Sequence, residues 1–202
     1  MIALRHGIPL PTIHAAVEAR GLSSRKEQRV LASQRLPGPK TTKVADKHLV
    51  DAVRDALYCS KICSYAQGLD LLSTVDKEKG WGLDLGEVAR IWKGGCIIRA
   101  RFLQRIQGAY GKHKRLDNLL LDEELGGFLV QHQQSWRKVV ALAAEHGVPV
   151  LAMAGSLGYF DSFRRARLPQ NLTQAQRDFF GAHTFERTDK KPGEWFHHEW
   201  GG

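Results

Sequence analysis

The residues best suited to chemistry lie in one polar stretch, Leu168 to Glu186, which reads LPQNLTQAQRDFFGAHTFE. Arg177 and His183 stand on either side of Gly181 there. Brought together they would suit an anion, because a guanidinium forks onto phosphate while an imidazole adds a directional donor. The competing reading pairs Arg177 with Asp178 or another acid and leaves His183 in solvent. A third candidate is Arg20, set in the apolar and small run HAAVEARG. A charged head there needs water or a partner, and Glu18 is out of helical phase to supply it. An incoming phosphate would satisfy Arg20, as would a plain surface position.

Other chemistries find less support. Gly94-Gly95 and Gly155-Ser156-Leu157-Gly158 lack the GxGxxG spacing of a dinucleotide loop, and neither follows a convincing strand. The chain has 9 histidines, but the adjacent pair His197-His198 lacks the i,i+4 spacing that puts two imidazoles on one helix face, so no metal site is expected. Cys59 and Cys63 share a helical face and read best as buried thiols packing as small hydrophobes. With Cys96 they make an odd count without a CxxC pair, which suits a reducing cytosol rather than a disulfide framework.

Thirty Lys+Arg against 21 Asp+Glu give a net charge of +9, which favours anionic partners without choosing among nucleic acid, acidic lipid and phosphorylated metabolites. No stretch approaches the roughly 18 uninterrupted apolar residues of a membrane span, and the N-terminus has no signal-peptide pattern. A cytoplasmic protein is expected.

The elements that must position these residues are helical. The stretch from Leu10 to Leu36 carries apolar residues at near-helical spacing, interrupted at Gly21 and stopped by Pro37-Gly38-Pro39. Lys43 to Lys79 is apolar or small on several sides, as expected of a helix running through the middle of a bundle. Asp84 and Glu87 form a capping box ahead of a helix running through Ile97 and Ile98 to Leu103. Another helix is predicted from Asp122 to His146, closed by Gly147, and a shorter one from Pro149 to Arg167. The polar tail from Thr188 has too little to bury to fold on itself, so a partner is expected to order it. One echo is visible: ALRHGIP at Ala3–Pro9 matches AAEHGVP at Ala143–Pro149. It marks either a duplicated helical unit or a common helix stop and restart.

The segments VEAR at Val17–Arg20, Ser23–Pro39, Lys61–Gly68, GGCIIRA at Gly94–Ala100 and Leu168–Thr184 together resemble the C-terminal domain of 6-phosphogluconate dehydrogenases almost from end to end. The resemblance implies an all-α domain built from a duplicated helical unit, with the first unit truncated and an extended C-terminal tail. Residues 1–187 would be the substrate and dimerisation domain. Residues 188–202, including PGEWFHHEW, resemble the family's tail, which docks on the partner subunit. It further implies a homodimer with shared sites, Arg20 binding the substrate phosphate in one subunit and Arg177 with His183 reaching in from the other.

The reaction implied is NADP-dependent oxidation of 6-phosphogluconate at C3, then decarboxylation to ribulose 5-phosphate, with a lysine and a glutamate sharing the proton work. The family places that pair, and its cofactor domain, upstream of anything in this sequence. Lys61 has no neighbouring acid to tune it and is expected to be a helix-surface or interhelical lysine. The expectation is a chain inactive alone, either a gene fragment or the partner of a separately encoded N-terminal half. The rival expectations are a non-catalytic dimeric remnant and a basic module for protein or nucleic acid.

Overall fold

A computed structural model of the chain describes residues 2–40, 44, 46–97, 100–113 and 116–201. They form two compact units, one up to Phe160 and one from Asp161 onward. The first unit contains α1 (Ile2–Arg5), α2 (Pro11–Ser24), α3 (Lys26–Arg35), α4 (Leu49–Lys79), α5 (Leu85–Gly95), α6 (Phe102–Lys112), a 3₁₀ turn (Leu119–Leu121) and α7 (Glu123–Glu145). Helix α8 (Leu151–Phe163) carries the chain into the second unit, which holds α9 (Asn171–Gly181), β1 (Phe185–Glu186) and β2 (Trp195–Phe196). The fold is all-α apart from that antiparallel two-residue ladder.

Helix α4 is the axis of the first unit and packs chiefly against α7. Its contact face is made of small residues, Ala52, Ala56, Ser60 and Ala66, with Cys59, Ile62, Cys63 and Leu69, all buried. Small side chains let α7 approach closely with its fully buried Leu125, Leu129 and Trp136. Each such leucine contributes about 1.5–3 kcal/mol. Val50, Val53 and Leu57 of α4 lie on its exposed side, so hydrophobicity alone does not select the buried face. A wholly buried polar pair ties α2 to α4. Thr12 N–H donates to Gln67 Oε1 at 3.1 Å, and the Gln67 amide donates back to Thr12 Oγ1 at 2.8 Å.

The echo in sequence is an echo in geometry. Gly7 and Gly147 both lie in the left-handed region, at φ 67° and 64°. Each closes its helix with the paired bonds of a Schellman motif: Ile8 N to Ala3 O at 2.9 Å and Gly7 N to Leu4 O at 3.3 Å, against Val148 N to Ala143 O at 2.7 Å and Gly147 N to Ala144 O at 3.1 Å. Helices α2 and α8 then start at Pro11 and Leu151, which keep the offset of the two glycines. They cross where Gly155 meets α2; a Cβ there would lie 3.3 Å from Pro11 O and 3.7 Å from Ala15 Cβ.

Several boundaries differ from the sequence-based expectation. The break after α2 falls at Arg25, whose backbone turns to φ −87°, ψ 54°, and Gly21 stays helical; a helical glycine costs only about 1 kcal/mol. The helix beginning at Leu85 stops at Gly95, so Leu103 belongs to α6, and consecutive poor helix formers Gly94-Gly95 account for the stop. Ile98 and Lys43 lie outside the described residues. Asp84 caps α5 by accepting from Glu87 N–H at 3.0 Å. The Glu87 carboxylate pairs with Arg90 at 2.7 Å. Helix α8 ends at Phe163, short of Arg167. The stretch around Arg177 is itself helical, as α9.

Candidate anion-binding site

The second unit is organised by one carboxylate. Asp178 lies in the last turn of α9, and its fully buried side chain accepts four hydrogen bonds. Oδ1 takes Thr184 N–H at 2.8 Å and His197 Nδ1–H at 2.9 Å, while Oδ2 takes His198 N–H at 3.0 Å and the Trp200 indole N–H at 2.9 Å. Burial by itself would raise this carboxyl, but the four donors outweigh it and hold the group well below the usual carboxylate range. The tail therefore folds back on its own unit, against the expectation from its composition. The reason is polar rather than hydrophobic: one buried charge collects the tail's donors. Glu186 adds to it by accepting Gly193 N–H at 2.7 Å across the β1–β2 turn.

His183 sits in the loop that this carboxylate pins. Its neighbours Ala182 and Thr184 both adopt left-handed backbone, at φ 50° and 60°. Such conformations cost about 1–3 kcal/mol each in non-glycine residues and persist only where surrounding bonds over-determine them. Here Ala182 N–H closes α9 on Asp178 O at 2.8 Å, and the Gln174 amide donates to Thr184 O. The same Gln174 accepts from Arg177 Nη1 at 2.9 Å. Gln174 thus links the guanidinium to the His183 loop, and Asp178 is committed elsewhere rather than neutralising Arg177.

Arg177 and His183 line one cavity of about 1190 Å³ in this unit, with Arg167, Arg187 and Lys190 also on its wall. Arg187 is held by Asp189 in a two-point ion pair at 2.9 and 2.6 Å. The excess of cationic groups suits an anionic ligand, for which Arg177 offers a planar fork and His183 a ring donor. The structure thus brings together two of the three residues singled out in the sequence. Arg20 belongs to the first unit, exposed on α2, where its Nη1 donates to Ser23 Oγ at 3.1 Å. Gln174 was not singled out in the sequence, and Asp178 entered there only as a possible partner of Arg177; their types are ordinary for an exposed helix, and only the fold shows where they point.

The first unit has its own groove of about 990 Å³ between α2, α4 and the start of α8, mainly apolar, with Arg29 and Lys61 on its wall. The Lys61 ammonium also lies 5.5 Å from the Phe102 ring centroid, an interhelical cation–π contact. Cys59 and Cys63 are free and buried. Burial pushes the Cys59 thiol up to about 12 and Cys63 further still, so both behave as core side chains.

The family model for the 6-phosphogluconate dehydrogenase C-terminal domain matches residues 1–200. A decarboxylating 6-phosphogluconate dehydrogenase of Synechocystis sp. is 56% identical over 201 residues, covering 99% of this chain and 42% of that protein. An Arabidopsis thaliana relative described as 6-phosphogluconate dehydrogenase, decarboxylating 2, is 54% identical over 199 residues, covering 96% of this chain and 40% of its own length. Among solved structures, Plasmodium falciparum 6-phosphogluconate dehydrogenase superposes with a TM-score of 0.92 at 42% identity, over 98% of this chain and 43% of that one. That enzyme is described in its apo form, with its cofactor NADP+ and with its substrate 6-phosphogluconate. The chain spans about two-fifths of the length of these relatives and belongs to the family of 6-phosphogluconate dehydrogenase C-terminal domains.

Proposed function

We propose that this chain supplies the substrate-binding and dimerisation part of an NADP-dependent, decarboxylating 6-phosphogluconate dehydrogenase, and that Arg177 and His183 take the phosphate of 6-phosphogluconate. The observation that carries this reading is the shared cavity in which the two side chains sit among further cations. A phosphate dianion matches that chemistry: three acceptor oxygens against a forked guanidinium and an imidazole donor. Arg20, on the first unit, provides the complementary contact from a second copy of the chain, which makes the assembled site a property of the dimer.

The residues described here do not fit the main site of the cofactor. A dinucleotide needs a strand, a glycine turn and a helix N-terminus, whereas the only sheet among the described residues is the β1–β2 ladder. The chain's role is accordingly to bind and orient the substrate, and the 202-residue polypeptide by itself does not reduce NADP. Hydride transfer from C3 and loss of carbon dioxide then require a nucleotide-binding half. No helix among the described residues is long and apolar enough to cross a membrane.

Calorimetric titration with 6-phosphogluconate, run alongside light scattering, tests the proposal. Saturable binding by a dimer, with NADPH production only after a nucleotide-binding half is added, is the expected result. A monomer that ignores 6-phosphogluconate but binds DNA with steep salt dependence would replace this reading with a basic nucleic-acid module.

A further inference from the structure

Asp178 is placed to do more than stabilise the second unit. An ionised carboxylate is an acceptor with about four lone-pair sites, and here four donors occupy them. One is the backbone of Thr184, beside His183. The other three, His197, His198 N–H and Trp200, all come from the last residues of the chain. The loop carrying His183 and the C-terminal segment are therefore fastened to the same buried charge. Gln174 on Thr184 O and the Phe185–Phe196 pairing restrain the two segments as well, but Asp178 is the group that bonds both side by side. His183, His197 and Trp200 are themselves exposed, and the loop's flanking residues sit in left-handed backbone that relaxes once its restraints weaken.

We propose that Asp178 is a positioning residue through which seating of the His197–Trp200 segment sets the presentation of His183 to an anionic ligand. The inference rests on the reading that Arg177 and His183 meet the substrate phosphate. When the tail is seated, Asp178 is fully paired and dry, and its bond to Thr184 N–H is short and strong. When the tail lifts, three donors leave together, water takes their places on the carboxylate, and Thr184 N–H competes with solvent for it. His183 then samples several orientations, and a ligand must spend part of its binding energy reordering the loop. Arg177 is reached only indirectly, through Gln174, which accepts from it and donates to Thr184 O. The tail thus acts first on the imidazole half of the site.

Three variants of the 202-residue chain test this. Trp200→Phe removes one donor to Asp178 and keeps an aromatic ring beside Phe179, against which Trp200 packs edge to face at 6.0 Å. Asp178→Asn removes the charge, and His183→Ala removes the presented group. The first readout needs no ligand: the ¹H–¹³C cross-peaks of the His183 imidazole, expected to shift and broaden in Trp200→Phe and Asp178→Asn. The second is 6-phosphogluconate affinity by calorimetry, expected to fall about tenfold in Trp200→Phe, the scale of one lost charge-assisted hydrogen bond. The loss should be no greater when Trp200→Phe is added to His183→Ala, since both act through the same imidazole.

An unmoved His183 spectrum in Trp200→Phe overturns the proposal, and so do affinity losses that add in the double variant. If Asp178→Asn does not fold, Trp200→Phe decides alone. If Arg177→Ala and His183→Ala bind 6-phosphogluconate as the parent does, the phosphate reading falls. The ligand-free spectrum then still decides whether Asp178 positions the loop.

Discussion

The indole N–H of Trp200 donates to Asp178 Oδ2 at 2.9 Å, while Asp178 Oδ1 accepts from Thr184 N–H at 2.8 Å. A residue near the end of the chain and a residue beside His183 are thereby bonded to the two oxygens of one buried carboxylate. The second unit has little apolar core: Asp178 is the one residue of α9 that is buried. Its order consequently depends on charge, which gives it a pH dependence with a definite sign.

The folded-state pKa of Asp178 is depressed, so its contribution is complete above the unfolded value of about 3.9 and is lost only as pH falls through the still lower folded value. Tail docking should therefore persist through mildly acidic solution and fail in strong acid. Tryptophan fluorescence, with Trp195 and Trp200 as reporters, should show an acid transition that disappears in Asp178→Asn because the tail is already released at neutral pH. A tail signal in Asp178→Asn identical to the parent's at every pH would remove Asp178 from this role.

Ala182 closes α9 in the left-handed region, where a side chain is penalised and glycine is not. Ala182→Gly should stabilise the second unit by about 0.5–1 kcal/mol, after allowing for glycine's larger loss of backbone freedom. Urea unfolding followed by the tail fluorescence measures it. No gain, or a loss, would mean that this backbone is not strained.

The two Schellman motifs predict a paired outcome. Gly7→Ala and Gly147→Ala should each destabilise the first unit by about 1 kcal/mol through the left-handed backbone. Gly147→Ala should cost more, since its new Cβ would also lie 3.1 Å from Pro39 Cδ whereas Gly7 faces open space. Denaturant midpoints of the two variants give the comparison directly; equal midpoints would show that Pro39 yields freely.

Thr12→Val retains the shape of the side chain and deletes its hydroxyl, leaving the fully buried Gln67 amide without Oγ1 as an acceptor. The expected cost is about 1–3 kcal/mol, read as a lowered thermal midpoint. Gln67→Leu should cost at least as much, because it also removes the acceptor of the buried Thr12 N–H at the start of α2. A double variant as stable as the parent would contradict this.

Arg177→Ala should weaken 6-phosphogluconate binding by about 2 kcal/mol, the scale of a hydrogen bond to a charged group. Arg177→Lys should recover only part of it, because a point charge lacks the planar fork. Calorimetry on both variants separates charge from geometry. If the lysine variant binds as well as the parent, the guanidinium is acting only through its charge.

The sequence alone determined what local rules and pattern decide. Gly147 stops α7 because the chain there must turn left-handed, and Asp122 starts it by accepting from Glu124 and Leu125 N–H. The long apolar run around Cys59 and Cys63 made α4 a central helix. Arg177 and His183 stood out because their types suit an anion, and the family motifs around them are dense. Tertiary structure decided the rest. It chose which side of α4 enters the core, burying Ile62 and Leu69 among small residues and leaving Val50, Val53 and Leu57 exposed. It turned Asp178 inward and away from its neighbour Arg177, because the donors that satisfy a buried carboxylate come from a tail that no helical periodicity links to α9. Sequence spacing registers neighbours along one element, whereas a charge shared by a helix, a loop and a chain end is defined only once all three have been brought together.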